Sequence, residues 1–131
     1  MLVKDLMRTD VVCFKEGDPL ADVLDTLVER RLHGAPVVDD DGRLTGVISQ
    51  QDVFFSGMTH GASGSGQATA VKDVMTSPPV YASEDSTVVD LCRMMFTMRI
   101  HRVPIVDQGK VTGIVSSLDV CAAIAAGKAL G

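Results

Sequence analysis

Two four-residue phrases in the chain have the right residue types and spacing for binding chemistry: Ser49-Gln50-Gln51-Asp52 and Ser116-Ser117-Leu118-Asp119. A serine followed three residues later by an acid is a helix-start pattern. The hydroxyl accepts the amide of the third helical residue, and the carboxylate reaches back to the serine amide. The same carboxylate can accept two hydrogen bonds at once, and so grip both hydroxyls of a ribose. Capping and ribose binding are compatible, because free amides at a helix start also attract phosphate.

A second pair of phrases carries basic groups: Arg31 to Asp39 reads RLHGAPVVD, and Arg99 to Asp107 reads RIHRVPIVD. His101 and Arg102 are either solvated cations at a helix C-terminus, favoured by its dipole, or phosphate ligands. A guanidinium offers a planar fork of donors to phosphate oxygens, and an imidazole can donate to the same group. His33 has the same two readings, but Gly34 stands where the second copy has its arginine, and a glycine there also suits a helix C-cap. Pro79-Val80 and Val11-Val12 read either as plain core strand or as apolar walls for a flat base.

Catalysis needs an activated nucleophile, a tuned acid–base pair or a metal. The chain contains no H-E-x-x-H, P-loop or G-x-S-x-G pattern, and its Gly-rich GASGSG does not join a strand to a helix. Three histidines and no paired cysteines make a poor zinc set. These features point to a binding protein, not an enzyme, with no metal and no covalent cofactor.

The bulk composition agrees. The chain has 131 residues, 46% hydrophobic and 22% charged, enough for a real core. Net charge is −5, no basic run exceeds two residues, and aromatics amount to four Phe and one Tyr. Sequence-independent nucleic-acid binding needs a positive field and stacking platforms, so nucleic acid is not an expected partner. No apolar run approaches the length of a bilayer span, and MLVKDLMRTD is no signal peptide; a cytoplasmic location and no membrane partner are expected. Cys13, Cys92 and Cys121 are scattered in apolar segments and read as reduced core thiols.

The elements that must position these groups occur twice. From Val3/Val71 to Asp39/Asp107, 37 residue pairs at an offset of 68 include twelve identities, beginning with Val3-Lys4-Asp5 and Val71-Lys72-Asp73. After one deletion in a turn the offset is 67, and Thr45, Gly46, Ser49, Asp52 and Val53 match Thr112, Gly113, Ser116, Asp119 and Val120. Each copy predicts an extended segment (10–14 or 79–82), then a helix. Asp18 with Pro19 caps the first helix and Ser86 the second. The stripes Leu20, Val23, Leu24, Leu27, Val28 and Val88, Leu91, Cys92, Met95, Phe96 predict one buried helix face. A hairpin follows: strand 35–38 or 103–106 with Pro36 or Pro104 near its start, a turn, then strand 44–48 or 111–115. A helix opening at Ser49 or Ser116 completes a β-α-β-β-α unit. The fold class is α+β (α/β), with repeats at 1–55 and 70–126 joined by a flexible Gly/Ser-rich linker, 56–69, in which His60 is a solvated residue.

The V-K-D-x-M openings, the two RxHxxPhVD phrases, and GVISQQD with GIVSSLD, in the same order twice, resemble a tandem CBS-domain (cystathionine-β-synthase-type) pair. The resemblance runs from Val3 to about Ala123. It implies two units packed with pseudo-two-fold symmetry, a homodimer, and a cleft binding an adenosine-containing effector: AMP, ADP, ATP, S-adenosylmethionine or NAD. The G-h-x-[S/T]-x-x-[D/N] phrase is then the ribose site, matched at Asp52 and Asp119. Carried over, site one combines Ser49, Asp52, Pro79, Val80, His101, Arg102 and Pro104. Site two combines Val11, Val12, His33, Pro36, Ser116 and Asp119 and lacks the arginine. The implied function is a regulatory module signalling to an unknown target protein by conformational change; the alternative is a structural dimerisation module with no nucleotide.

Overall fold

A computed structural model describes residues 1–60 and 69–131. The two copies build the same element series: β1 (Phe14–Lys15), α1 (Leu20–Glu29), β2 (Gly34–Val38), β3 (Leu44–Ser49), α2 (Gln50–His60), then α3 (Val71–Val74), β4 (Ala82–Ser83), α4 (Val88–Met98), β5 (Arg102–Asp107), β6 (Lys110–Ser116) and α5 (Ser117–Ala125). Each sheet has three strands, ordered β1-β2-β3 or β4-β5-β6, with a parallel first pair and an antiparallel hairpin. The expected β-α-β-β-α units are therefore present. The Gly/Ser-rich stretch 61–68 lies outside the described residues, as does the side chain of His60; α2 itself runs on to His60.

The chain forms two compact units, and neither is one uninterrupted repeat. One comprises Val12–Pro79; the other comprises Met1–Val11 with Val80–Gly131. Each unit thus takes its opening segment from the other copy's stretch of sequence. The repeated V-K-D phrase does this work. Val3 is fully buried among Val88, Leu91, Val103, Ile105 and Val115. Val71 is fully buried among Val23, Leu27, Val37 and Ile48. The aspartate closes the short helical turn: Leu2 N donates to Asp5 Oδ2, and Ala70 N to Asp73 Oδ2, both at 3.0 Å. Backbone bonds then tie the segment down, from Val3 N to Ser86 O (2.8 Å) and from Val71 N to Asp18 O (3.0 Å).

After the turn, each opening segment lies along its sheet. Arg8 and Ile114 exchange two backbone hydrogen bonds of 3.0 Å, and Thr76 and Val47 do the same at 2.9 and 3.0 Å. This pairing occupies edge amides that would otherwise be open.

Several local expectations shift. The predicted extended segments shrink to two-residue strands, leaving Val11, Val12, Pro79 and Val80 in irregular chain before them. Pro36 and Pro104 sit third in the central strands and have no amide to donate. The parallel partner strands begin only beside the following residues, Val37 and Ile105. Helix caps move by one residue. Pro19 is the N-cap of α1, while Asp18 Oδ2 accepts from Lys15 N at 2.9 Å. Thr87, not Ser86, caps α4 by accepting from Asp90 N at 3.1 Å. The helix stripes are narrower than the pattern implied: Val23, Leu27, Val88, Leu91 and Met95 are buried, but Leu24, Val28 and Phe96 are exposed. Gly34 begins β2 and does not cap a helix; Arg30 is the C-cap of α1 and Arg99 that of α4, and the left-handed turn falls at Arg31 and Arg99, both at φ +56°.

Candidate functional site

Both Ser-x-x-Asp phrases open their helices as the spacing requires. In the Val12–Pro79 unit, Asp52 N donates to Ser49 Oγ at 3.1 Å, and Ser49 N donates to Asp52 Oδ2 at 2.9 Å. In the other unit, Asp119 N donates to Ser116 Oγ at 3.3 Å and Ser116 N to Asp119 Oδ2 at 2.8 Å. There the serine hydroxyl also donates to Asp119 Oδ2, at 3.0 Å. Reciprocal capping fixes each carboxylate at a helix N-terminus, where the dipole favours its negative charge.

The hairpin strands bring the basic phrases beside these starts. Gly34 pairs with Ser49, and Arg102 with Ser116. The first helical amide of α2 donates to His33 O at 2.9 Å, and that of α5 to His101 O at 2.7 Å. Gln50 Nε2 adds a 2.7 Å bond to Leu32 O. Each histidine is thus held by its own backbone next to the capped carboxylate of its own unit, and its exposed ring is left outside this bonding.

Of the residues grouped as site one, Ser49, Asp52 and Pro79 belong to the first unit, and Val80, His101, Arg102 and Pro104 to the second. Of those grouped as site two, Val12, His33 and Pro36 belong to the first unit, and Val11, Ser116 and Asp119 to the second. Within the second unit His101 and Arg102 differ in surroundings. Arg102 is half-buried at the head of β5, and burial holds its guanidinium below the usual arginine range. His101 lines a groove of about 860 Å³ beside α4 and α5, together with Cys92, Phe96, Ile100, Ser117 and Cys121. Pro36 and Pro104 are buried, while Val11, Val12, Pro79 and Val80 are half-buried.

The two carboxylates differ in one respect that the motif alone does not reveal. Arg8 Nε donates to Asp119 Oδ1 at 2.9 Å. The repeat-equivalent of Arg8 is Thr76, and among the described residues no side chain engages the second oxygen of Asp52. The repeat aligns Arg8 with Thr76 at an offset of 68, and Asp52 with Asp119 at 67 after the deletion in the turn.

The expected core thiols are only partly so. Cys13 and Cys92 are half-buried and Cys121 is exposed. Burial pushes the Cys13 thiol above its ordinary value, and burial with the neighbouring Cys121 does the same to Cys92. Among the described residues no group of three His, Cys, Asp or Glu side chains is placed to hold a metal ion, and no helix is long and apolar enough to cross a membrane.

Comparison with known proteins identifies the family to which the sequence and fold are similar. The CBS domain family matches residues 3–57 and again 71–126. The uncharacterized protein MJ1426 of Methanocaldococcus jannaschii is 29% identical over 95% of this chain and 91% of its own length. Among solved structures, CBSX2, a CBS-pair protein of Arabidopsis thaliana, was crystallised in complex with AMP. It is 28% identical, with a TM-score of 0.85 over 97% of this chain and 98% of that one. The CBS domain pair of protein MJ0100, in complex with 5′-methylthioadenosine and S-adenosyl-L-methionine, is 25% identical, with a TM-score of 0.84 over 98% of both chains.

Proposed function

The chain belongs to the CBS-domain family, and from that premise we propose that it is a regulatory module binding an adenosine-containing ligand and passing the bound state to a partner protein by conformational change. The observation that carries this reading is the pair of Ser-x-x-Asp helix starts, each holding a carboxylate at a helix N-terminus. Asp52 keeps one oxygen for ribose hydroxyls, so a vicinal diol is the natural ligand group there. AMP in CBSX2, and 5′-methylthioadenosine with S-adenosylmethionine in MJ0100, support an adenosyl ligand in this chain. Candidates are AMP, ADP, ATP, S-adenosylmethionine and NAD. His101 and Arg102 are the proposed phosphate ligands, His33 their counterpart, and Val11, Val12, Pro36, Pro79, Val80 and Pro104 the proposed base-contacting residues. Ser116 and Asp119 form the second ribose-binding start. A binding role without catalysis and a cytoplasmic location belong to the same proposal.

Thermal unfolding with each candidate at millimolar level, and GMP as the control, tests the reading. A ligand at 100 times its Kd adds about 2.7 kcal/mol, a shift of several degrees in a domain of this size. A shift with an adenosyl compound that Asp52→Ala reduces supports the proposal. No shift with any compound overturns it.

A second reading is favoured by a different observation. Val28, Phe54 and Phe55 on α1 and α2, and Phe96, Leu118 and Ile124 on α4 and α5, are exposed. Large exposed apolar groups on helices suit association, so a homodimerisation or interaction module with no nucleotide is the alternative. Sedimentation with and without ligand separates the two: assembly with no adenosyl binding favours the alternative.

A further inference from the structure

We propose that Arg8 is an internal gate on the Asp119 carboxylate, so that the two ribose-binding starts are unequal and the one at Asp119 takes a diol only when the guanidinium withdraws. The inference rests on the adenosyl-binding reading and adds to it a residue which that reading does not contain.

Both oxygens of Asp119 are engaged. Its Oδ2 accepts from Ser116 N and Ser116 Oγ, and its Oδ1 accepts from Arg8 Nε at 2.9 Å. Its side chain is only 10% exposed, so little solvent competes for the remaining lone pairs. A ribose needs the oxygen that Arg8 holds. Asp52 is capped by the same reciprocal pair with its serine, has Thr76 as the repeat-equivalent of Arg8, and carries no such pair among the described residues.

Arg8 stands where a gate must stand. Its backbone is pinned by the two 3.0 Å bonds with Ile114. The segment is pressed so close to β6 that a β-carbon on Gly113 would lie 2.6 Å from Met7 Sδ and 2.9 Å from Arg8 O. The backbone therefore does not move easily, but the side chain does: it is 69% exposed, and among the described residues its one polar partner is reached through Nε. An ion pair with one solvated end is weak. It lowers apparent affinity by the fraction of time the site is occupied and does not close the site outright.

The test isolates the Asp119 start by working in an Asp52→Ala background and uses adenosine, which carries the diol but no phosphate. Calorimetric titration compares Asp52→Ala alone with the same chain carrying Arg8→Ala or Arg8→Met; the methionine variant keeps an apolar stem for packing. Affinity for adenosine is expected to rise roughly fivefold in both Arg8 variants, and adding Asp119→Asn is expected to abolish that gain. Raising the salt should strengthen adenosine binding while Arg8 is present and not after its removal. Unchanged or weaker adenosine binding in both Arg8 variants, with the wild-type protein binding adenosyl compounds normally, overturns the gate alone. Weakened AMP binding in those variants would identify Arg8 as a phosphate ligand, and that too overturns the gate. Absence of adenosyl binding in the wild-type protein overturns the ribose reading and this inference together.

Discussion

Gly46 and Met75 meet so closely that a β-carbon on the glycine would stand 2.5 Å from the methionine sulfur and 3.0 Å from Thr76 O. Gly113 meets Met7 and Arg8 O in the same way. In each unit the segment after the V-K-D turn crosses the sheet over a glycine, and only the missing side chain permits the crossing. Gly46→Ala and Gly113→Ala should each cost about 1–3 kcal/mol, the usual range for overpacking, seen as a lower midpoint in urea unfolding with an unchanged slope. Wild-type midpoints in both variants would show that the segments do not pack there.

Val3 and Val71 are the anchors of those segments. Each is fully buried in a core built mostly from the other copy's sequence. Val3→Ala and Val71→Ala should each lose about 2 kcal/mol, two methyl groups plus the cavity they leave. Removing residues 1–7 should destabilise the protein more than Val3→Ala, because the bonds to Ser86 and Glu84 go as well. Chemical denaturation of the three variants checks the order.

Arg31 and Arg99 both adopt the left-handed conformation at φ +56°, which costs a side-chain-bearing residue about 1–2 kcal/mol. Glycine is free of that cost but loses more entropy on folding. Arg99→Gly should therefore raise stability by about 0.5–1 kcal/mol, and Arg99→Val should lower it. The pair of melting curves gives the sign directly.

The cysteines should react in order of exposure. Cys121 is exposed, whereas Cys13 is half-buried with a thiol pushed up by burial. A raised pKa leaves less thiolate near neutral pH, so Cys13 should alkylate slowly there and faster as the pH rises. Mass spectrometry after a timed iodoacetamide pulse should find Cys121 labelled first and Cys13 labelled fully only in denaturant. Equal rates in the native protein would contradict this placement.

Capping and ligand binding can be separated at Thr87, whose hydroxyl caps α4 and has no proposed contact with ligand. Thr87→Ala should cost about 1 kcal/mol of stability and leave the ligand-induced thermal shift intact. Asp52→Ala should lower stability by a similar amount and reduce the shift, leaving only what the Asp119 start contributes.

What was legible in the sequence was mostly local. The Ser49/Asp52 and Ser116/Asp119 boxes close within four residues, and the hairpins close through their turns, so spacing alone locates them. The caps of α1 and α4 lie one residue beyond the positions the pattern suggests, because Asp18 accepts from Lys15 N in its own turn and Thr87 lies one position closer to the helix. The strands before them are shorter than the apolar pattern implies, because a run such as Val11-Val12 looks extended whether or not a partner strand is beside it. What spacing does not show is which core an opening segment joins. Val3 and Val71 are identical in type and context, and their destinations depend on the path of the chain. Arg8 was hidden for the same reason: it meets Asp119 across 111 positions of sequence.

The central claim is that this chain binds an adenosyl ligand through its Ser-x-x-Asp carboxylates. Equilibrium dialysis of labelled AMP against the wild-type protein and Asp52→Ala tests it most directly. The account predicts saturable binding in the wild-type protein, displaced by adenosine but not by 2′-deoxyadenosine, and affinity reduced at least about tenfold in Asp52→Ala, as expected for losing charged hydrogen bonds to the diol. Saturable binding that Asp52→Ala leaves intact, or no saturable binding up to millimolar AMP, would contradict it.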